Sequence, residues 1–231
     1  MESALSTTYS SSNTKDAGVA LTGFFGGLVN STAVIAEMAK RAQKQTSMHQ
    51  LAIGAILLAS AAMAVRNAII VITFIPAAAL IVALPLGAIA VTGVGISLFV
   101  CDWTTDIGTD LRSPFSMKNA LLFGGLFLVI LVVSAGAEVV FGASGFLTTT
   151  FLAGLVSSGT STATAVTLVS TGQISAELAV AGVIMGTVAS VLVKVLFAAT
   201  IERSLVRLVL QWNLLLIFIG LVVGGVTIVV Q

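Results

Sequence analysis

The sequence specifies an all-α membrane protein of about seven transmembrane helices, with the first two spans and the fifth and sixth as equivalent copies. Three observations lead there. Of 231 residues, 58% are hydrophobic and 8% charged, where soluble chains carry about 25% charged residues, and the mean hydropathy is +1.15. The apolar stretches are continuous over lengths that cross a bilayer and lack polar/apolar alternation, so helices are favoured over a β-barrel. The chain also matches itself when displaced by 128 positions, the mark of an internal repeat. The same composition excludes a soluble globular domain, which needs more charge on its surface, and a disordered chain, which needs low hydrophobicity. A net charge of +1 supplies no basic patch for nucleic acid. Cys101 is the single cysteine, so no intramolecular disulfide forms.

Met1 to Asp16 are polar and Ser/Thr-rich with no basic run before an apolar core, so they are not a cleavable signal and the first span acts as its own insertion signal. Seven segments are long and apolar enough to span: about 17–38, 51–74, 77–100, 119–138, 145–169, 177–200 and 208–230. They form a single polytopic domain over 1–231, with repeat 1 at about 17–100 and repeat 2 at about 145–230. The longest polar interval, Cys101–Lys118, is a loop within one bundle. Pro85 is placed to kink the third span. Gly182, Gly186 and Ser190, and again Gly220 and Gly224, recur at the spacing that lets helix backbones approach closely in lipid. Lys40, Arg41 and Lys44 in one loop, with Arg112 and Lys118 in another, favour a cytoplasmic face for both, which puts the N-terminus outside. Arg203, Arg207 and Lys15 then fall on the opposite side.

The repeat is carried by particular residues. At an offset of 128, Gly54 falls on Gly182, Ala61 on Ala189, Val65 on Val193 and Arg66 on Lys194. Upstream, Gly27-Leu28-Val29 resembles Gly154-Leu155-Val156 at an offset of 127, and Ser31-Thr32-Ala33 resembles Ser161-Thr162-Ala163 at 130. Each half therefore holds a Gly-broken, hydroxyl-rich helix followed by a small-residue helix with one cation near the same depth. Internal repeats with interrupted helices are a recurrent transporter construction, with the site at the repeat interface. Duplication with small residues serving only packing is the simpler alternative.

Arg66 and Lys194 lie a little past the middle of their spans, where a cation costs about 2.5–3.5 kcal/mol on insertion scales. Gly182, Gly186, Ser190 and Lys194 share one helix face, as do Gly54, Leu58, Ala62 and Arg66, so both cations are expected to point along packed seams toward the bundle interior. Snorkelling to the interface is the alternative. Glu138 closes the fourth span on the same outer half, and a pair with one of the cations is expected to be within reach. The surplus of positive charge disfavours a bare cation path there and suits an anion or a clamp on backbone carbonyls.

The broken helices are the second polar feature. The first is Gly26-Gly27-Leu28-Val29-Asn30-Ser31-Thr32; the second carries nine hydroxyls between Thr148 and Thr164. Asn30, Ser31, Thr32, Ser157, Ser158, Thr160, Ser161 and Thr162 are therefore candidate pathway residues beside Arg66, Glu138 and Lys194, with Asn30/Ser31 and Ser158/Thr160 of the type that caps a half-helix. Exposed N–H groups at such an end bind an anion or water. Back-bonding of Ser and Thr to the preceding turn of an unbroken helix is the alternative.

Asp102, Asp106 and Asp110 are four apart and chemically sufficient for Mg²⁺, although Gly108 weakens a helix there and solvated acidic loop residues are commoner. His49 has no Cys or His at metal spacing. Gly142-Ala143-Ser144-Gly145 resembles the nucleophile motif of intramembrane serine proteases, yet no histidine base is nearby; an enzyme is not expected, nor is a cofactor.

Leu21-Thr22-Gly23-Phe24-Phe25-Gly26-Gly27-Leu28-Val29-Asn30-Ser31-Thr32-Ala33 with Lys40-Arg41 behind it, and Ser113-Pro114-Phe115-Ser116-Met117-Lys118-Asn119-Ala120-Leu121, resemble the domain of unknown function that forms the C-terminal membrane half of MgtC/SapB-type proteins. The resemblance covers nearly the whole chain. It implies a prokaryotic plasma-membrane protein; a magnesium-transport label attaches mainly to the other half of those proteins, an N-terminal region with its own spans and acidic residues that is not expected in this chain. The family pattern also carries an acidic residue where this chain has Ser157-Ser158-Gly159-Thr160. The expected function is an ion transporter or channel with its site between the two broken helices, the partners being the lipid bilayer, a small ion and a second copy of the chain. The alternative is a non-transporting membrane regulator or interaction partner.

Overall fold

The computed structural model describes residues 23–28, 30–44, 48–101, 117–201 and 206–229. Among these, every regular element is helical. Residues 23–28 form a first helical stretch and residues 30–44 form α1. α2 is His49–Phe74, α3 Ala79–Val100, α4 Met117–Val156, α5 Ser158–Ser170, α6 Ala176–Ile201 and α7 Val206–Val229. Five helical segments are long and apolar enough to cross a membrane: His49–Phe74, Pro76–Val100, Phe127–Val156, Ala176–Leu196 and Arg207–Val226. This is a multi-pass membrane protein. Of the seven expected spans, the first is described only in part. The fourth and fifth meet at Gly142, in the gap expected between them, and the fifth is broken at Ser157, within its expected hydroxyl-rich interruption.

Local chemistry explains where the helices stop. Pro76 forces Ile75 out of the helical region, to φ −130° and ψ 70°, and opens a 3-10 turn that leads into α3. α3 runs on through Pro85. Inside α4, Gly142 adopts φ 63° and ψ −150°, a conformation essentially confined to glycine. The chain doubles back there: a Cβ on Gly145 would collide with the backbone of Ala137, eight positions earlier. Gly142-Ala143-Ser144-Gly145 is thus a reversal motif, and Ser144 spends its hydroxyl on the Phe141 carbonyl at 2.9 Å. α5 ends in a Schellman turn, with Gly172 at φ 71° and the Gly172 and Gln173 N–H groups on the Val169 and Leu168 carbonyls, both at 2.9 Å. Ser175 then receives the Leu178 N–H at 3.2 Å, capping α6.

α2 is the centre of the bundle, with every residue from Leu51 to Ala64 buried; a helix apolar on all sides belongs in the interior. Its neighbours meet it through small or polar residues, as expected where lipid supplies no drive for association. A Cβ on Gly27 would stand 2.5 Å from Ala59 Cα. From α3, Ser97 donates to the Gly54 carbonyl at 3.0 Å, and Gly93 faces Ala61. From α7, Asn213 accepts the Ser60 hydroxyl at 3.4 Å. α3 and α7 pack on each other where Gly220 admits Ile89 and Gly224 admits Pro85. In the second half, Gly154 of α4 lies against Gly186 of α6, and Gly182 against Phe146 and Thr150. The outward faces are apolar: Phe74, Val91, Phe99, Val132, Val139 and Phe141 are all exposed, as lipid contact requires.

Candidate functional site

The second hydroxyl-rich segment is discontinuous. Ser157 leaves the helix in an extended conformation and its Oγ accepts the Thr160 N–H at 3.3 Å, an N-cap for α5. The Ser161 N–H makes the first backbone bond of the new helix, to the Ser157 carbonyl at 3.0 Å. In the first segment, Asn30 Oδ1 accepts the Ala33 N–H at 3.1 Å. The two caps are three-residue reaches of the same kind, and Asn30 and Ser157 stand 127 positions apart, as do Gly27 and Gly154. Of the expected first broken segment, Gly26 to Thr32, residue 29 lies outside the described residues.

Arg66 connects the two segments. Its Nη1 donates to the Leu28 carbonyl at 3.1 Å, and its Nη2 to Ser158 Oγ at 3.3 Å and to Asn67 Oδ1 at 3.4 Å. The guanidinium also lies against the backbone of the first turn of α5. A Cβ on Gly159 would come within 2.8 Å of Nη2 and 3.0 Å of Cζ, so glycine at 159 makes room for it. Nε is buried with no partner among the described residues.

Lys194 is 1% exposed. Its Nζ donates to Met63 Sδ at 2.6 Å, a weak acceptor that carries no charge. Met63 packs with Val191 and Ile217 and precedes Arg66 by three residues, so Lys194, from α6, meets α2 one turn before Arg66. Both point into the bundle, and neither snorkels. Glu138 is partly buried, but no hydrogen bond or ion pair joins it to Arg66 or Lys194 among the described residues. Glu37, by contrast, pairs with Arg41 at 2.8 Å on the exposed side of α1.

The remaining candidates divide. Ser158, Thr160, Ser161, Thr162 and Ser31 are buried, Asn30 and Ser157 partly so, and Thr32 is exposed. Thr148, Thr149, Thr150 and Thr167 bond back to carbonyls of the preceding turn. Ser161 instead reaches across the break to the Thr150 carbonyl at 3.2 Å. The hydroxyls of Thr160, Thr162 and Thr164 are buried with no partner among the described residues. Asp102, Asp106 and Asp110 lie outside the described residues.

Reasoning from sequence missed two amides. Asn67 is fully buried and donates from Nδ2 to Thr187 Oγ1 at 3.0 Å, joining α2 to α6. Asn213 is 1% exposed, and besides accepting from Ser60 it donates to the Val209 carbonyl at 2.8 Å. The signal was available: each is an amide within a predicted span, which lipid would not tolerate facing outward.

The matched caps, the bridging guanidinium and the buried lysine make one polar seam through α1, α2, α5 and α6. A family model described as a domain of unknown function (DUF4010) matches residues 10–202. No curated protein and no solved structure matches the chain. The match carries no link to MgtC/SapB proteins, so of the expected resemblance the unknown-function membrane domain stands. With the match running over most of its length, this multi-pass membrane protein belongs to the DUF4010 family.

Proposed function

We propose that this protein is an ion transporter or channel whose path runs along the seam between the ends at Leu28–Asn30 and Ser157–Ser158. The observation that carries it is the Arg66 guanidinium, held between the Leu28 carbonyl and Ser158 Oγ at 3.1 and 3.3 Å. Irregular backbone at membrane depth is tolerated where it is shielded by protein or lines a water-filled cavity, and intramembrane ionisable residues are functional candidates by default. The reading takes the chain as a seven-span duplication with its N-terminus outside. Support for the duplication comes from contacts that repeat at an offset of 127, one residue from the 128 register read for the second and sixth spans: Gly27 on Ala59 with Gly154 on Gly186, and Gly23 on Ala55 with Thr150 on Gly182. The resemblance to the membrane half of MgtC/SapB-type proteins supplies the prokaryotic plasma membrane as the setting.

Reconstitution of the purified full chain in liposomes tests the reading. Flux above empty vesicles is expected for at least one of Mg²⁺, Na⁺, K⁺, Cl⁻ and phosphate, altered by Arg66→Gln in protein that still runs as a single species in detergent. Absence of flux for all five overturns it.

A second reading, a non-transporting membrane regulator or interaction partner, draws on the same bond from Arg66 to Leu28, since a clamp on an orphan helix carbonyl is a structural use of a cation. Under that reading both Arg66→Gln and Lys194→Gln unfold in detergent, and pulldown recovers one dominant membrane partner.

A further inference from the structure

We infer that the ion taken by this seam is a small inorganic anion, held at the Nε/Nη2 edge of Arg66 beside the first turn of α5, with Lys194 as a second donor. The inference rests on the proposed path and adds the class of ion to it.

The charge balance comes first. Two cations are inside the bundle, and among the described residues no carboxylate is paired with either. A cation entering this seam meets the Arg66 guanidinium with no carboxylate to offset it, whereas an anion supplies the balance that the protein does not. Direction comes second. Nη1 of Arg66 is spent on the Leu28 carbonyl at 3.1 Å. Nη2 sits at the amino end of α5, where the helix field has the same sign as the guanidinium. That end attracts anions, through the field and through N–H groups preceding the first intrahelical bond.

The unspent hydrogen-bonding capacity is in the same place. Nε is buried without a partner, and Nη2 holds its two neutral acceptors only at 3.3 and 3.4 Å. These are the two nitrogens that grip an oxyanion or halide side-on. Thr160, on that first turn, is fully buried with its hydroxyl unpartnered. Gly159 removes the side chain that would stand between guanidinium and backbone. Among the described residues Lys194 Nζ has only the Met63 thioether.

The test is thermal unfolding of the full chain in detergent, with chloride, nitrate, sulfate or phosphate titrated against gluconate at constant ionic strength. At least one anion is expected to raise the unfolding temperature saturably. Thr160→Val, which gives up a hydroxyl that bonds nothing in the protein, should fold normally and weaken that anion about tenfold; Lys194→Gln should remove the effect. No anion surpassing gluconate overturns the inference, and so does a shift left unchanged in Thr160→Val and Lys194→Gln. Stabilisation by phosphatidylglycerol alone, with the four free anions silent, overturns it as well. Anion stabilisation without liposome flux upholds this site and overturns the transport reading. Cation flux without an anion effect does the reverse.

Discussion

Gly154→Ala is the sharpest probe of the packing that positions the site. The new methyl would collide with the Gly186 carbonyl and stand 2.5 Å from Gly186 Cα and 2.8 Å from its carbonyl carbon. These are backbone atoms, so no rotamer relieves the contact. To restore separations of ~3.5–4.0 Å, α6 must withdraw by about 1 Å from a helix end lying three residues before the Ser157 cap. Overpacking of this kind costs about 1–3 kcal/mol, against a helix-propensity gain of about 0.5–1 kcal/mol for replacing glycine. Packing wins for all but the mildest clash. For a chain of this size each kcal/mol shifts the midpoint by about 2–4 °C, so a net loss of about 1–2 kcal/mol lowers unfolding by roughly 2–8 °C. Gly136→Ala is the control, since Gly136 is exposed and has nothing within 4 Å of its Cβ position; it gains the same propensity and should unfold at or above the wild-type temperature. Gly27→Ala, which would stand 2.5 Å from Ala59 Cα, should fall as Gly154→Ala does. Tryptophan fluorescence in detergent, scanned at one rate, reports all three. Gly154→Ala unfolding no lower than Gly136→Ala refutes the close approach of α4 and α6.

Gly142→Ala should be destabilised by about 1–3 kcal/mol for a different reason, since φ 63° with ψ −150° is a region that side chains avoid and space is not limiting. The same fluorescence scan checks it, and a midpoint equal to that of Gly136→Ala argues against the reversal. Asn67→Leu should cost about 0.6–1.7 kcal/mol, the range for interhelical hydrogen bonds in membranes, because Thr187 loses the amide 3.0 Å away. Adding Thr187→Val to Asn67→Leu should cost little more, and full additivity in a double-mutant cycle would show that the two side chains do not act together.

Much of this protein was legible before any coordinates. Continuous apolar runs with 8% charge require helices in lipid, because no other open structure satisfies its own backbone there. A capping bond is made within one turn and is therefore written locally, and Asn30 was among the expected caps, whereas the second cap fell on Ser157 and not on the expected Ser158 or Thr160. The depth of Arg66 and Lys194, and their inward direction, followed from the cost of exposing a cation to hydrocarbon. Tertiary packing alone decided the partners. Lys194 meets Met63, and neither cation meets Glu138, with which one of them was expected to be within reach; Arg66 spans Leu28 and Ser158, 130 positions apart. Gly142, read as part of a serine motif, turned out to reverse the chain. Hydropathy and capping depend on a residue and its near neighbours, whereas the meeting of two buried polar groups depends on how closely glycines let distant helices approach. That approach is set by the whole bundle at once.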